Sequence, residues 1–171
     1  MKLQRKTIVT TLLGISVGLL ALLVPGGPIE NRDFSQFDPA ILAAFNVFLT
    51  SLDLGTLVLM LFTIRGYEWA LACAFYVGLA YFGVYAIDLA QIFPKSPTPM
   101  LPELAGIEVL GMSASIPLVI YSRYVVSREI VKPIHRLPNW LKTSVFTVVV
   151  VLGLAITWFA TDSAIHSGTS F

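Results

Sequence analysis

The sequence predicts an all-α protein, a polytopic membrane helix bundle with five transmembrane helices. Of its 171 residues, 56% are hydrophobic and only 12% are charged, whereas a soluble domain usually carries about 25% charged residues. The chain also contains five apolar runs that approach or exceed the ~20 residues a helix needs to cross the hydrocarbon core. A single span must be helical because lipid offers no partners for its backbone N–H and C=O groups.

The predicted spans follow one another within one integral-membrane domain that covers residues 1–171. The first span resembles a signal peptide, but it ends in PGGP without an A-x-A cleavage pattern, so we predict an uncleaved helix. The second begins near Asp38 and Pro39, an N-cap residue followed by proline at the first helical position. The predicted spans are 7–24, 41–64, 69–93, 104–126 and 142–161.

The basic residues are divided unequally between the two sides of this bundle. With the N-terminus in the cytoplasm, only Arg32 and Lys95 fall outside. This bias predicts a cytoplasmic N-terminus, and five spans then place the C-terminus outside. We expect a multi-pass protein of the cell (cytoplasmic or inner) membrane. The cytoplasmic set is Lys2, Arg5, Lys6, Arg65, Arg123, Arg128, Lys132, Arg136 and Lys142.

The basic segment 127–140 joins the last two spans. It interleaves Lys and Arg with apolar residues, and its two prolines argue against one continuous amphipathic helix. We expect it to rest on anionic lipid headgroups. Docking of a cytoplasmic protein is the alternative for this segment.

Two carboxylates lie inside apolar runs on either side of a proline-rich link. Asp88 lies six residues before Pro94, and Glu108 lies six residues after Pro102. A helix rises about 1.5 Å per residue, so both acids lie about 9 Å below the link. Asp53 lies deeper, about 18 Å down by the same measure. Acids at these depths are costly unless they are paired, hydrated or protonated.

Helical spacing arranges the polar residues around these acids in stripes, since residues three or four apart share one face of a helix. If the stripes face one another, they form a cleft that is open to the outside. Water, a bound cation or a shared proton could stabilise Asp88 and Glu108 there; alternatively, both acids simply reach headgroup water. The candidate cleft residues are Asp53, Asp88, Glu108, Asn46, Thr50, Tyr81, Tyr85 and Ser115.

Several chemistries find no support in the sequence. The chain has no P-loop, HExxH or GxSxG motif, and its single cysteine, Cys73, excludes an internal disulfide. His135 and His166 lie in a loop and in the tail, which argues against haem. We therefore expect no catalytic residue, metal site, cofactor or nucleic-acid partner. The apolar inner half of the spans also argues against a permanently open channel.

Two functions of different classes remain. In the first, the protein is a non-enzymatic accessory or assembly component whose polar seam and acidic loops meet a membrane-protein partner. In the second, it is a small carrier or binding protein for a cation, a proton or a polar solute, which Asp53, Asp88 and Glu108 would bind. The first function is favoured because the chain is small and the inner half of its spans has too few polar residues to line a transport path across the whole membrane.

Overall fold

A computed structural model of the chain describes the backbone of residues 2–27, 29–30, 32–126 and 139–166. Within these ranges the secondary structure is entirely helical, which confirms the predicted all-α class. The segment 127–138, which carries most of the predicted headgroup contact, lies outside the described residues. The five helices are α1 (Lys2–Ala21), α2 (Pro39–Ile64), α3 (Glu68–Leu89), α4 (Pro102–Val126) and α5 (Asn139–His166).

Four of these helices are long and apolar enough to cross a membrane, and each matches a predicted span. The first helix differs from its prediction. It ends at Ala21, three residues before the predicted end at residue 24, because a turn that contains Pro25 and Gly26 follows. Gly26 adopts a φ of 77° there, a conformation that glycine reaches without strain. A multi-pass helical membrane protein is therefore supported, while the crossing by α1 stays a prediction.

The helix boundaries follow the local chemistry of the sequence. Asp38 is the N-cap of α2, as predicted, and its carboxylate accepts a 2.7 Å hydrogen bond from the backbone N–H of Ala40. The α2–α3 turn contains Gly66 at a φ of 85°, which makes α2 and α3 antiparallel neighbours. We call this end of the bundle the turn end. The opposite end, where α2 and α4 begin and α3 ends, is the loop end.

The helices pack around α1, which contacts α2, α3 and α4. Among the described residues, α5 packs against α2 alone and is the least buried of the spans. Small residues allow α3 and α4 to approach closely. A Cβ atom added at Gly78 of α3 would press against Val119 of α4, and one added at Gly111 of α4 would overlap the ring of Tyr85.

Two loops are joined to each other at the loop end. The hydroxyl of Ser96 donates to the carbonyl of Asp33 at 2.7 Å, and the backbone N–H of Asp33 donates to Thr98 Oγ1 at 3.1 Å. The side chain of Gln36 donates to the carbonyl of Lys95. These bonds hold residues 32–38, the first loop, against residues 90–101, the second loop. The first loop is thereby positioned over the polar ends of α3 and α4.

Candidate functional site

A buried arginine joins the first loop to the ends of α3 and α4. The guanidinium of Arg32 donates to both carboxylate oxygens of Asp88, at 2.7 and 2.8 Å. It also donates to Glu30, from Nε at 2.9 Å and from Nη2 at 2.5 Å. Glu108 Oε1 lies 3.7 Å from Arg32 Nη2. We call Glu30, Arg32, Asp88 and Glu108 the Arg32 cluster.

The Arg32 cluster is shielded from solvent. The side chain of Arg32 is 7% exposed, that of Glu30 is 4% exposed and that of Glu108 is fully buried. The guanidinium also lies 5.3 Å from the ring centre of Phe34, a cation–π distance. Burial lowers the pKa of Arg32, but the hydrogen bonds and negative charges of Asp88 and Glu30 outweigh burial, so the net pKa is raised above its ordinary value.

Glu108 is the one carboxyl group of the Arg32 cluster that accepts no hydrogen bond from a described N–H or hydroxyl donor, although it lies within hydrogen-bonding distance of the Asp88 carboxyl group. A guanidinium has five N–H donors, and those of Arg32 are directed at Glu30 and Asp88: Nε–H, one N–H of Nη1 and both of Nη2. The donors of Nη2 nearest to Glu108 are therefore already engaged. Three carboxyl groups share one guanidinium, which leaves Glu108 without a complete partner.

A second polar pair lies deeper in the bundle. The hydroxyl of Tyr81 on α3 donates to Asp53 Oδ1 on α2 at 2.7 Å. The ring of Tyr85, one helical turn along α3, stacks on that of Tyr81 with centres 6.4 Å apart. Tyr85 is fully buried, lies within electrostatic range of both Asp53 and Glu108, and has no described partner for its hydroxyl. Tyr85 thus lies between the Asp53–Tyr81 pair and the Arg32 cluster.

The enclosed space beside these residues is small. A cavity of about 90 Å³ between α1, α2 and α5 is lined by Asn46, Thr50 and Asp53. A second cavity, of about 40 Å³, lies beside Arg32 and Asp88. A volume of this kind, which measures where the centre of a water molecule can lie, needs only about 10–15 Å³ per water, so both cavities have room for several waters or a small ion.

Comparison of the sequence with protein-family models gives a match over most of the chain. The model described as a domain of unknown function (DUF8051) matches residues 5–135, which is about three quarters of the chain. The chain belongs to the DUF8051 family. No curated protein and no solved structure matches it. The matched part of the DUF8051 chain contains the Arg32 cluster and the Asp53–Tyr81 pair, and it ends before α5.

Within the DUF8051 chain, the eight predicted site residues fall into separate environments. Asp88 and Glu108 meet in the Arg32 cluster, and Asp53 pairs with Tyr81, as described above. Asn46 lines both small cavities and donates to Thr161 of α5 at 3.2 Å. Ser115 is buried but donates back to the carbonyl of Gly111 in its own helix at 2.8 Å. Its hydrogen-bonding capacity is therefore used locally.

Sequence reasoning missed the roles of Glu30 and Arg32. The sequence predicts that water, a cation, a shared proton or headgroup water stabilises the acids, whereas Arg32 of the same chain pairs with Asp88 directly; a proton shared between Asp88 and Glu108 stays a prediction. One signal was present in the sequence, because Arg32 is one of only two basic residues on the predicted outer side. The described residues hold no group of three or more His, Cys, Asp or Glu side chains suited to a metal ion.

Proposed function

We propose that this DUF8051 protein is a non-enzymatic accessory or assembly component of the cell membrane. The observation that carries the proposal is the pairing of Arg32 with Glu30 and Asp88. A buried carboxylate needs a compensating charge, and here the first loop supplies it. The acids then serve to hold a loop in place and need no transported ligand to compensate them.

The loop held in this way forms part of an ordered surface. Arg32 of the first loop bonds to Asp88 of α3. Hydrogen bonds that involve Ser96 and Gln36 join the first loop to the second loop. Phe93 of the second loop packs edge-on against Phe37 and Phe45, with ring centres 5.5 and 5.0 Å apart. Because binding then orders few residues, such a surface suits a protein partner.

We also propose that all five helices cross the membrane, with the N-terminus in the cytoplasm and the C-terminus outside. The length of α1 within the bundle supports its crossing, since Lys6 Nζ lies beside Gly66 at the turn end and Gly26 lies beside Ser163 of α5. The basic residues Lys6, Arg65 and Arg123 gather at the turn end, which supports a cytoplasmic turn end.

Co-purification tests the accessory role. The protein is extracted from its native membrane in a mild detergent, and bound proteins are identified by mass spectrometry. We expect one stoichiometric partner that is retained by Asp53→Asn and reduced by Gln36→Ala, a change at the exposed loop surface. Isolation of the wild-type protein without any stoichiometric partner would contradict the proposal.

Cysteine labelling tests the orientation. In a Cys73→Ala background, which has no other cysteine, Ser35→Cys is placed in the first loop and Arg123→Cys near the turn end. We expect a membrane-impermeant maleimide to label Ser35→Cys on intact cells and Arg123→Cys only after permeabilisation. The opposite pattern would reverse the orientation.

One observation favours a second function, a small carrier or binding protein for a proton or small cation. Glu108 accepts no hydrogen bond from a described N–H or hydroxyl donor and the Tyr85 hydroxyl is buried without a described partner, and a proton, ion or water beside them would relieve that cost. If this function is correct, Glu108→Gln and Asp53→Asn each abolish cation-dependent uptake into vesicles. Co-purification of a partner would be unaffected by either change.

A further inference from the structure

We propose that a groove at the turn end binds one anionic phospholipid, with its phosphate at Arg65 and an acyl chain between α2 and α5. The groove has a volume of about 480 Å³ and is bounded by α2, the start of α3 and the first half of α5. Its lining residues are apolar or aromatic except for Arg65 at its mouth. This site lies apart from the Arg32 cluster and does not depend on the accessory role.

The cation at the mouth of the groove lacks a described counter-charge. Arg65 is exposed and caps the C-terminus of α2, and no described side chain forms an ion pair with its guanidinium. Lys6 Nζ lies beside the adjacent Gly66, so a second positive charge is close by. A guanidinium binds phosphate oxygens through paired N–H donors. The mouth of the groove is therefore complementary to an anionic headgroup.

The length of the groove matches one leaflet of a bilayer. It runs along α2 from Gly55 to Arg65, ten residues or about 15 Å of helix. The hydrocarbon core is about 30 Å thick, so half of it is about 15 Å. Trp69 also lines the mouth, and tryptophan favours the interface between headgroups and acyl chains. The groove thus leads from the interface to the membrane centre, as an acyl chain does.

The lining of the groove favours a lipid as its occupant. It is an apolar slot between α2 and α5 with a single cation at one end, which matches one acyl chain with an anionic headgroup. The slot is open because α5 contacts α2 but makes no described contact with α3. It is deepened at Gly55, where an added Cβ atom would meet nothing within 4 Å.

Native mass spectrometry of the purified full-length protein tests this site. Phosphatidylglycerol and phosphatidylcholine are titrated in separate samples, and lipid-bound species are counted. We expect the wild type to bind one phosphatidylglycerol about tenfold more tightly than phosphatidylcholine, which corresponds to a difference of about 1.4 kcal/mol. Arg65→Gln should remove this preference, and Arg65→Lys should keep part of it.

A groove-filling variant separates this site from ordinary lipid contact around the bundle. Gly55→Phe places a ring in the groove, and we expect it to abolish binding of the single tight lipid. Gly83→Phe is the matched control because Gly83 on α3 also has open space beside it; it should bind lipid as the wild type does. Equal retention of both lipids by wild type and Arg65→Gln would overturn the proposal, as would a peptide or protein found in the groove. If Gly55→Phe does not fold, the proposal is decided by the lipid preference of Arg65→Gln compared with that of Arg65→Lys.

Discussion

Replacing Arg32 by methionine should destabilise the protein strongly. The side chain lies among Glu30, Asp88 and Glu108, and it supplies the hydrogen bonds that Glu30 and Asp88 receive from the guanidinium. Methionine roughly keeps the volume but leaves buried carboxyl groups without their cation. Removing one partner of a buried ion pair costs about 3–5 kcal/mol, so we expect the free energy of unfolding to fall by that amount.

The assay is reversible unfolding of the purified protein in mixed detergent. Unfolding is monitored as the loss of the helical circular dichroism signal. Lys95→Met is the matched control, because it removes the other basic residue of the loop end from an exposed position. Lys95→Met should change the free energy of unfolding by no more than about 0.5 kcal/mol.

A double-mutant cycle isolates the charge effect from the change of shape. In a background that carries Glu30→Gln, Asp88→Asn and Glu108→Gln, the three carboxylates are gone and Arg32 is itself a buried charge without a counter-charge, so Arg32→Met should cost nothing or stabilise the protein. An equal cost in both backgrounds would refute the reasoning. A cost of Arg32→Met no larger than that of Lys95→Met would also refute it.

Three further outcomes are expected from the same unfolding assay. Gly111→Ala should cost about 1–3 kcal/mol, because its new Cβ atom overlaps the ring of Tyr85. Tyr81→Phe should cost about 1–3 kcal/mol, since Asp53 loses the hydroxyl that donates to it. The difference between wild type and Arg32→Met should not decrease from neutral pH to about pH 10. The folded-state pKa of Arg32 is raised, so its contribution is complete below the unfolded pKa and is lost only as pH rises through the folded one.

Each of these predictions has a control or a contradicting result. Gly106→Ala should cost nothing or stabilise slightly, because a Cβ atom there meets open space and alanine has the higher helix propensity; a cost equal to that of Gly111→Ala would show that overlap with Tyr85 is not the cause. Tyr76→Phe should be neutral because Tyr76 is 70% exposed. If the stabilisation by Arg32 disappears between neutral pH and about pH 9, deprotonation of the guanidinium is not the cause and the assigned pKa direction is wrong.

The polar stripes show how far spacing along one helix can predict a site. The separation of Asn46, Thr50 and Asp53 placed them on one face of α2, and they do line one cavity. Whether the faces of different helices meet was beyond this kind of reasoning, because each helix can rotate about its own axis. Asp88 and Glu108 are predicted to lie at the same depth in the membrane. They come close to the same arginine only because α3 packs on α4.

The sequence by itself determined the helical membrane class, the positions of four long spans and the start of α2 at Asp38 and Pro39. These properties depend on neighbours along the chain and on the thickness of the bilayer, so length, composition and capping chemistry decide them. The tertiary structure alone decided how the buried acids are compensated. Arg32 and Asp88 are 56 positions apart, and their pairing requires the first loop to fold back over the bundle. No local sequence pattern encodes this position of the first loop, because the contacts that stabilise it exist only once the helices have packed.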